Sequence, residues 1–362
     1  MSRKKKLSLG VLAADVVCCL FFAFGFRNWI VPIAANALCV FLAGCALAVN
    51  KVLLSSNWYK SLFVDFEHER YPDNVWYRKH DERNFDLINL GSNSSKYAFD
   101  YSELGVKAMN FAPGSQTLID DFRLVQNYHS ILKSGGVVLI SIMPFTSINK
   151  KTGFIDSFKY CKSLDSALID EKYRRKCYLY ARFPILFGKT AARAIVKKLM
   201  GKDRIPLAVN KTQNNPMSET ELEADARQWI TGWKKQFAIS DMSAPLTQEN
   251  QRGREVRIGV MRNLIDFCTE RGYKPVYVIP PMTEYLDSYF TGEVKQIYIY
   301  DFLTQVNRNI PLFDYSHSQD LMDKDLYFNS FFMNERGARC FTSIVTGDIM
   351  KKLYRRHEVN QV

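Results

Sequence analysis

Hydrophobic positions along this chain follow two rhythms. Two continuous apolar runs open it, Leu7 to Phe26 and Ile30 to Val49, separated by Arg27-Asn28-Trp29. Each has 20 residues, enough for a helix rising about 1.5 Å per residue to cross about 30 Å of hydrocarbon. From Phe85 onwards, short apolar runs bounded by small residues alternate with segments of helical period. Asp86–Leu90, Ala108–Phe111, Val137–Ile142 and Pro275–Ile279 read as strands, and Leu312–His317 as a strand end with its loop. Leu118 to Leu132 has helical spacing, with Ile119, Phe122, Val125 and Leu132 on one side. Asp120, Asp121, Gln126 and Asn127 lie on the other, and Gly135-Gly136 closes the segment. Further helices are predicted over Glu219–Phe237, over Arg254–Arg271 up to Gly272, and from Asn334 to about Tyr354. Strand, helix, strand over short glycine turns predicts the α/β class, with a central parallel sheet covered by helices on both faces.

Residues 146–254 break the rhythm and read as a helical insertion rich in Tyr, Lys and Arg. The predicted organisation is therefore a membrane anchor over 1–50, an aromatic juxtamembrane linker over 51–84, and an α/β domain over 85–358 that carries the insertion. The apolar length is too great for a signal peptide, and no small-residue cleavage site follows it. The anchor is one or two transmembrane helices. The basic start, Arg3-Lys4-Lys5-Lys6, favours the cytoplasm. A hairpin of two spans returns the domain to that side, and a single span leaves it outside. Asp15 weakens the first run as a lone span.

Charge adds a second surface to this picture. The net charge of +12 is concentrated: Lys172 to Arg204 hold eleven Lys or Arg against one acid, Asp203. Within that block Ala192, Ile195, Val196, Leu199 and Met200 share one helical face, while Lys189, Arg193, Lys197 and Lys198 lie elsewhere around it. Such a helix can rest on anionic lipid, bind another polyanion, or pack its apolar face on a core. No nucleic-acid module accompanies it, so nucleic acid is not an expected partner. No phosphate-binding glycine loop is present and no nucleotide cofactor is expected. The eight cysteines form no C-x-x-C pair and read as buried free thiols. His68, His80, His129 and His357 stand at no metal-ligand spacing, and no metal is expected.

The candidate chemistry centres on Gly91-Ser92-Asn93-Ser94-Ser95, a small-residue turn after the first strand, where α/β proteins place ligands. Three other stretches accompany it: Asn110-Phe111-Ala112 with Gly114 and Gln116; Val276 to Pro281; and Phe313-Asp314-Tyr315-Ser316 followed by Asn334-Glu335-Arg336-Gly337-Ala338. In this order the chain resembles the SGNH/GDSL hydrolase-like family. It is similar to membrane-anchored members linked to cell-envelope glycan and teichoic acid modification, such as the D-alanine-transfer protein of teichoic acid operons. The resemblance covers roughly Phe85 to Leu353 and implies a flavodoxin-like three-layer sandwich.

The resemblance also implies a Ser nucleophile in the first turn and an Asp and a His, three apart, before the last helix. Those positions carry Asn93, Asn329 and Phe332. An amide cannot serve as the alkoxide, and a phenyl ring cannot move a proton. The leading expectation is a non-catalytic protein that binds an envelope glycan, an acylated ligand or a membrane biosynthetic enzyme. Gly91, Ser92, Asn93, Gly114 and Gln116 would form its ligand site. The alternative is an active O-acyltransferase or esterase with a shifted site, drawing on Ser94 or Ser95 and on His317 near Asp314 and Asp320. The plainer role for Ser94 and Ser95 is a helix N-cap. A third expectation is a membrane protein whose basic block binds anionic lipid or a polyanion.

Overall fold

A computed structural model of the chain describes residues 30–65, 83–148, 153–204, 217–307 and 309–354. The first apolar run, Tyr71, Trp76, Tyr77, the Lys211–Pro216 stretch and His68, His80 and His357 lie outside these residues. The chain divides into two units, Met1–Leu62 with Tyr178–Ile205, and Phe63–Cys177 with Pro206–Val362. The principal helices are α1 (Ile30–Leu54), α2 (Asn93–Ala98), α3 (Leu118–Tyr128), α4 (Lys189–Leu199), α5 (Glu219–Phe237), α6 (Gln248–Glu270) and α7 (Glu335–Tyr354).

The larger unit is built on five strands: β1 (Phe85–Leu90), β2 (Ala108–Asn110), β3 (Leu132–Ser141), β4 (Lys274–Ile279) and β5 (Leu312–Asp314). Their order is β2-β1-β3-β4-β5, and every pairing is parallel. Ile88 pairs with Met109 on one side and Val138 on the other, and Val278 pairs with Phe313. A parallel sheet is covered on both faces, so the buried part of its strands is largely apolar rather than alternating. Leu87, Val137, Leu139, Val276 and Val278 pack under Phe341, Val345 and Ile349 of α7. Their alternate neighbours Ile88, Leu90, Val138, Ile140 and Tyr277 are equally buried. They point to the opposite face by the two-residue period of a strand, where α6 meets β4 and α3.

Two local expectations change. The helix predicted to reach Leu132 stops at Tyr128, and a single 3₁₀ turn, His129–Ile131, leads into the sheet. Gly135-Gly136 therefore does not close a helix but lies in the first half of β3, with Gly135 at a φ of 72°. The motif around Asn334 acquires a physical reading. Asn334 Oδ1 accepts the Gly337 amide (2.9 Å), and Nδ2 donates to the Asp325 carbonyl (2.8 Å). Gly337 lies so close to the Leu326 carbonyl that a Cβ would overlap it.

In the smaller unit, α1 is long and apolar enough to cross a membrane. Ile30, Ile33, Val40, Phe41 and Leu47 are among its exposed side chains, a surface suited to lipid rather than water. The cysteines are free among the described residues but not uniformly buried. Cys177 and Cys268 are interior, while Cys39, Cys45 and Cys340 are exposed.

Candidate functional site

A doubly wound sheet of this order leaves a crevice beyond the carboxyl ends of β1 and β3, where successive crossovers leave to opposite sides. A cavity of about 460 Å³ occupies that position. Gly91, Ser92, Asn93 and Ser94 enter it from the end of β1, Ser141, Met143 and Thr146 from the end of β3, and Ser115 to Leu118 from the loop after β2. Its other wall is aromatic: Phe145, Trp229, Trp233, Phe237, Phe331 and Phe332.

The turn is shaped by two glycines. Gly91 has a φ of 130°, and a Cβ there would overlap Ser95 Oγ and lie 3.1 Å from Ser141 Cβ. Gly114 leaves room for Asn93, since a Cβ on it would stand 2.5 Å from Asn93 Oδ1. Asn93 is thus held half-buried at the cavity edge. Ser92 is the N-cap residue of α2, displacing the expectation that Ser94 or Ser95 takes that place. Ser94 lines the cavity, whereas Ser95 is fully buried behind Gly91 and is not part of the lining.

Asp121 is the residue that sequence patterning misplaced. It was expected on the polar side of its helix, yet it and Asp120 are both buried. Asp120 closes a capping box with Thr117, its Oδ2 accepting Thr117 Oγ1 at 2.8 Å. Asp121 lines the cavity and accepts the Gly91 amide (3.0 Å) and Gln116 Nε2 (2.5 Å) on one oxygen. Burial pushes its carboxyl up to about 7, with the neighbouring Asp120 adding to the shift. The Gln116 and Gly91 hydrogen bonds and the Lys159 charge oppose it. Gln116, 3% exposed, is committed at both ends: Nε2 also donates to the Phe111 carbonyl (2.8 Å), and Oε1 accepts Tyr160 Oη (2.5 Å). It therefore braces Asp121, and Asp121 in turn occupies the Gly91 amide. Lys159 Nζ donates to the Gly114 and Ser115 carbonyls (2.9 and 3.0 Å), and burial lowers its ammonium from the ordinary lysine value.

The three positions matched to the family triad are locally explicable. Asn329 Oδ1 accepts the backbone amides of Phe331 and Phe332 (2.9 and 2.6 Å), a turn that aims both rings inward. Phe332 packs against Tyr97, Trp229 and Phe331, with ring centroids 4.9, 5.4 and 4.7 Å away. Trp229 and Trp233, four residues apart on α5, stand 5.4 Å centroid to centroid and complete the wall. His317 is exposed and is not among the cavity residues. Asp287, near it, is paired with Lys295 (2.8 Å). Asp314 accepts Tyr300 Oη (2.6 Å) and the Ser316 amide (2.9 Å). The surrogate base is thus not brought to Ser94.

Two buried atoms on cavity residues, Trp229 Nε1 and Ser141 Oγ, have no hydrogen-bond partner among the described residues. A buried donor left so costs about 1–3 kcal/mol. Among the described residues no group of three or more His, Cys, Asp or Glu is placed to hold a metal ion. The chain matches no protein-family model and no curated protein.

Proposed function

We propose that this is a membrane-anchored, SGNH-like protein that binds an envelope glycan unit, or its acylated form, in the β1–β3 cavity without turning it over. The observation that carries the reading is the composition of the two walls. One wall is a row of hydroxyl and amide groups, Ser92, Asn93 and Ser94; the other is the Trp229, Trp233, Phe331 and Phe332 cluster. A pyranose ring has this complement, with apolar C–H faces that stack on aromatic rings and hydroxyls around its rim that hydrogen-bond. Acyl transfer also needs a base within hydrogen-bond reach of its nucleophile. Phe332, packed on Trp229, stands where the family resemblance puts that base. A glycan held this way can be presented to a biosynthetic enzyme in the same membrane.

The test is calorimetric titration of the full chain in detergent with chito- and malto-oligosaccharides, plain and O-acetylated, alongside fluorophosphonate labelling. Binding without labelling is expected, and Trp229→Ala should weaken it about two- to tenfold, the value of one aromatic contact. Covalent labelling that disappears in Ser94→Ala would replace this reading with an active esterase or acyltransferase.

A further inference from the structure

The smaller unit joins the apolar helix to the basic segment at one defined height. α1 is predominantly apolar through Val49, and its next turn opens with Asn50 and Lys51. Asn50 is buried and donates from Nδ2 to the Arg182 carbonyl (3.0 Å). Leu53, 0% exposed, packs on Ala191 and Ala194 of α4. Lys198 Nζ donates to the Ser55 carbonyl (2.8 Å), and Tyr59 Oη to the Ala181 carbonyl (2.5 Å). The Asp203 carboxylate accepts the backbone amides of Asn57 (2.8 Å) and Trp58 (3.3 Å). These contacts fasten α4 to the end of α1.

That attachment sets a depth. Leu53 lies one turn past the apolar run, about 6 Å along the helix axis. If that run spans the hydrocarbon, Leu53 falls in the headgroup layer, which is about 5–8 Å thick on each side. Ala191 and Ala194 of α4 are turned inward with Ile195 packed beside them; the other large apolar residues expected to share that face are not. Val196, Leu199 and Met200 are 54%, 76% and 57% exposed. Lys189, Arg193 and Lys197 are exposed on the same helix. Asp203, the one acid among the described residues of this unit, is engaged by the Asn57 and Trp58 amides. Exposed apolar and cationic side chains on one helix are costly in water and favourable at an anionic bilayer surface.

We infer that α4 is a docking surface for anionic phospholipid. Val196, Leu199 and Met200 enter the acyl boundary, and Lys189, Arg193 and Lys197 hold lipid phosphates. The inference is independent of what the β1–β3 cavity binds.

The test uses the full chain in nanodiscs and compares, by electron paramagnetic resonance, its association with spin-labelled phosphatidylglycerol and phosphatidylcholine. Phosphatidylglycerol is expected to be preferred, by about fivefold for each basic residue engaged. The triple variant Lys189→Glu/Arg193→Glu/Lys197→Glu should abolish the preference. These side chains are exposed, so circular dichroism should be unchanged. Equal association of the two lipids with the wild type would overturn the inference. A second variant, Leu199→Ser/Met200→Ser, separates lipid from a soluble polyanion. Lipid docking predicts a several-fold loss of phosphatidylglycerol association, and undiminished association would also overturn the inference.

Discussion

Replacing Asp121 by Asn should make the protein more stable at neutral pH and remove a specific pH dependence. The carboxyl is buried, and its affinity for a proton is raised from an ordinary value of 3.8 to about 7. At about 1.4 kcal/mol per tenfold change, that difference is on the order of 4 kcal/mol. The folded state binds the proton more tightly than the unfolded chain does. The stability this provides is complete below about pH 4 and is lost progressively as pH rises through about 7. Asn keeps the acceptor for the Gly91 amide and Gln116 Nε2 and cannot ionise. The assay is urea unfolding of the full chain in detergent, followed by Trp fluorescence between pH 4.5 and 8.5. Wild type minus variant should fall by about 3 kcal/mol across that range, with the change concentrated below pH 7. Asp121→Ala provides the contrast. It strands two buried donors, each worth about 1–3 kcal/mol, and should be destabilising at low pH, with the deficit shrinking as pH rises through about 7. Parallel pH profiles for wild type and Asp121→Asn would refute the reasoning.

Three further outcomes follow from the geometry. Gly91→Ala should cost roughly 2–4 kcal/mol by denaturant unfolding, because it combines a φ of 130° with overlap on Ser95 Oγ. Asn334→Ala should lose about 1 kcal/mol through the unpaired Gly337 amide, while Gly337→Ala should lose about 2 kcal/mol or more, since the Leu326 carbonyl cannot retreat as a side chain can. His317→Ala should leave oligosaccharide affinity measured by calorimetry unchanged, and a loss would mean that His317 reaches the cavity after all.

Much of the fold was legible because its signals are local. A parallel strand buried on both faces writes itself as a continuous apolar run, and β1, β3 and β4 were readable for that reason. The cavity at the candidate site was legible as a place and not as a composition. Gly91 and the serines after it mark a strand end on an α/β sheet. What surrounds them came from elsewhere: Asp121 from 30 residues away, and the ring of Phe332 from the opposite end of the chain. A helical wheel assigned Asp121 to solvent because it scores polarity alone. The Thr117-x-x-Asp120 spacing was a visible capping signal, but no comparable pattern marks a carboxyl buried to hold a turn. The Trp229 and Trp233 spacing announced a shared helix face without saying what that face would meet.

The order of apolar, small and charged residues alone determined an α/β sheet, an apolar helix of membrane length, a small-residue turn at the end of β1, and a basic amphipathic helix. Each is a property of neighbours within a few turns or one strand, so period and composition suffice. Tertiary structure alone decided that the turn's amide is taken by Asp121, that aromatic rings rather than an imidazole face Asn93 across the cavity, and that the basic helix is fastened to the end of α1. Those outcomes depend on packing between segments far apart in the chain, where the partner is chosen by shape and by the cost of burying polar groups, and no local pattern encodes that choice.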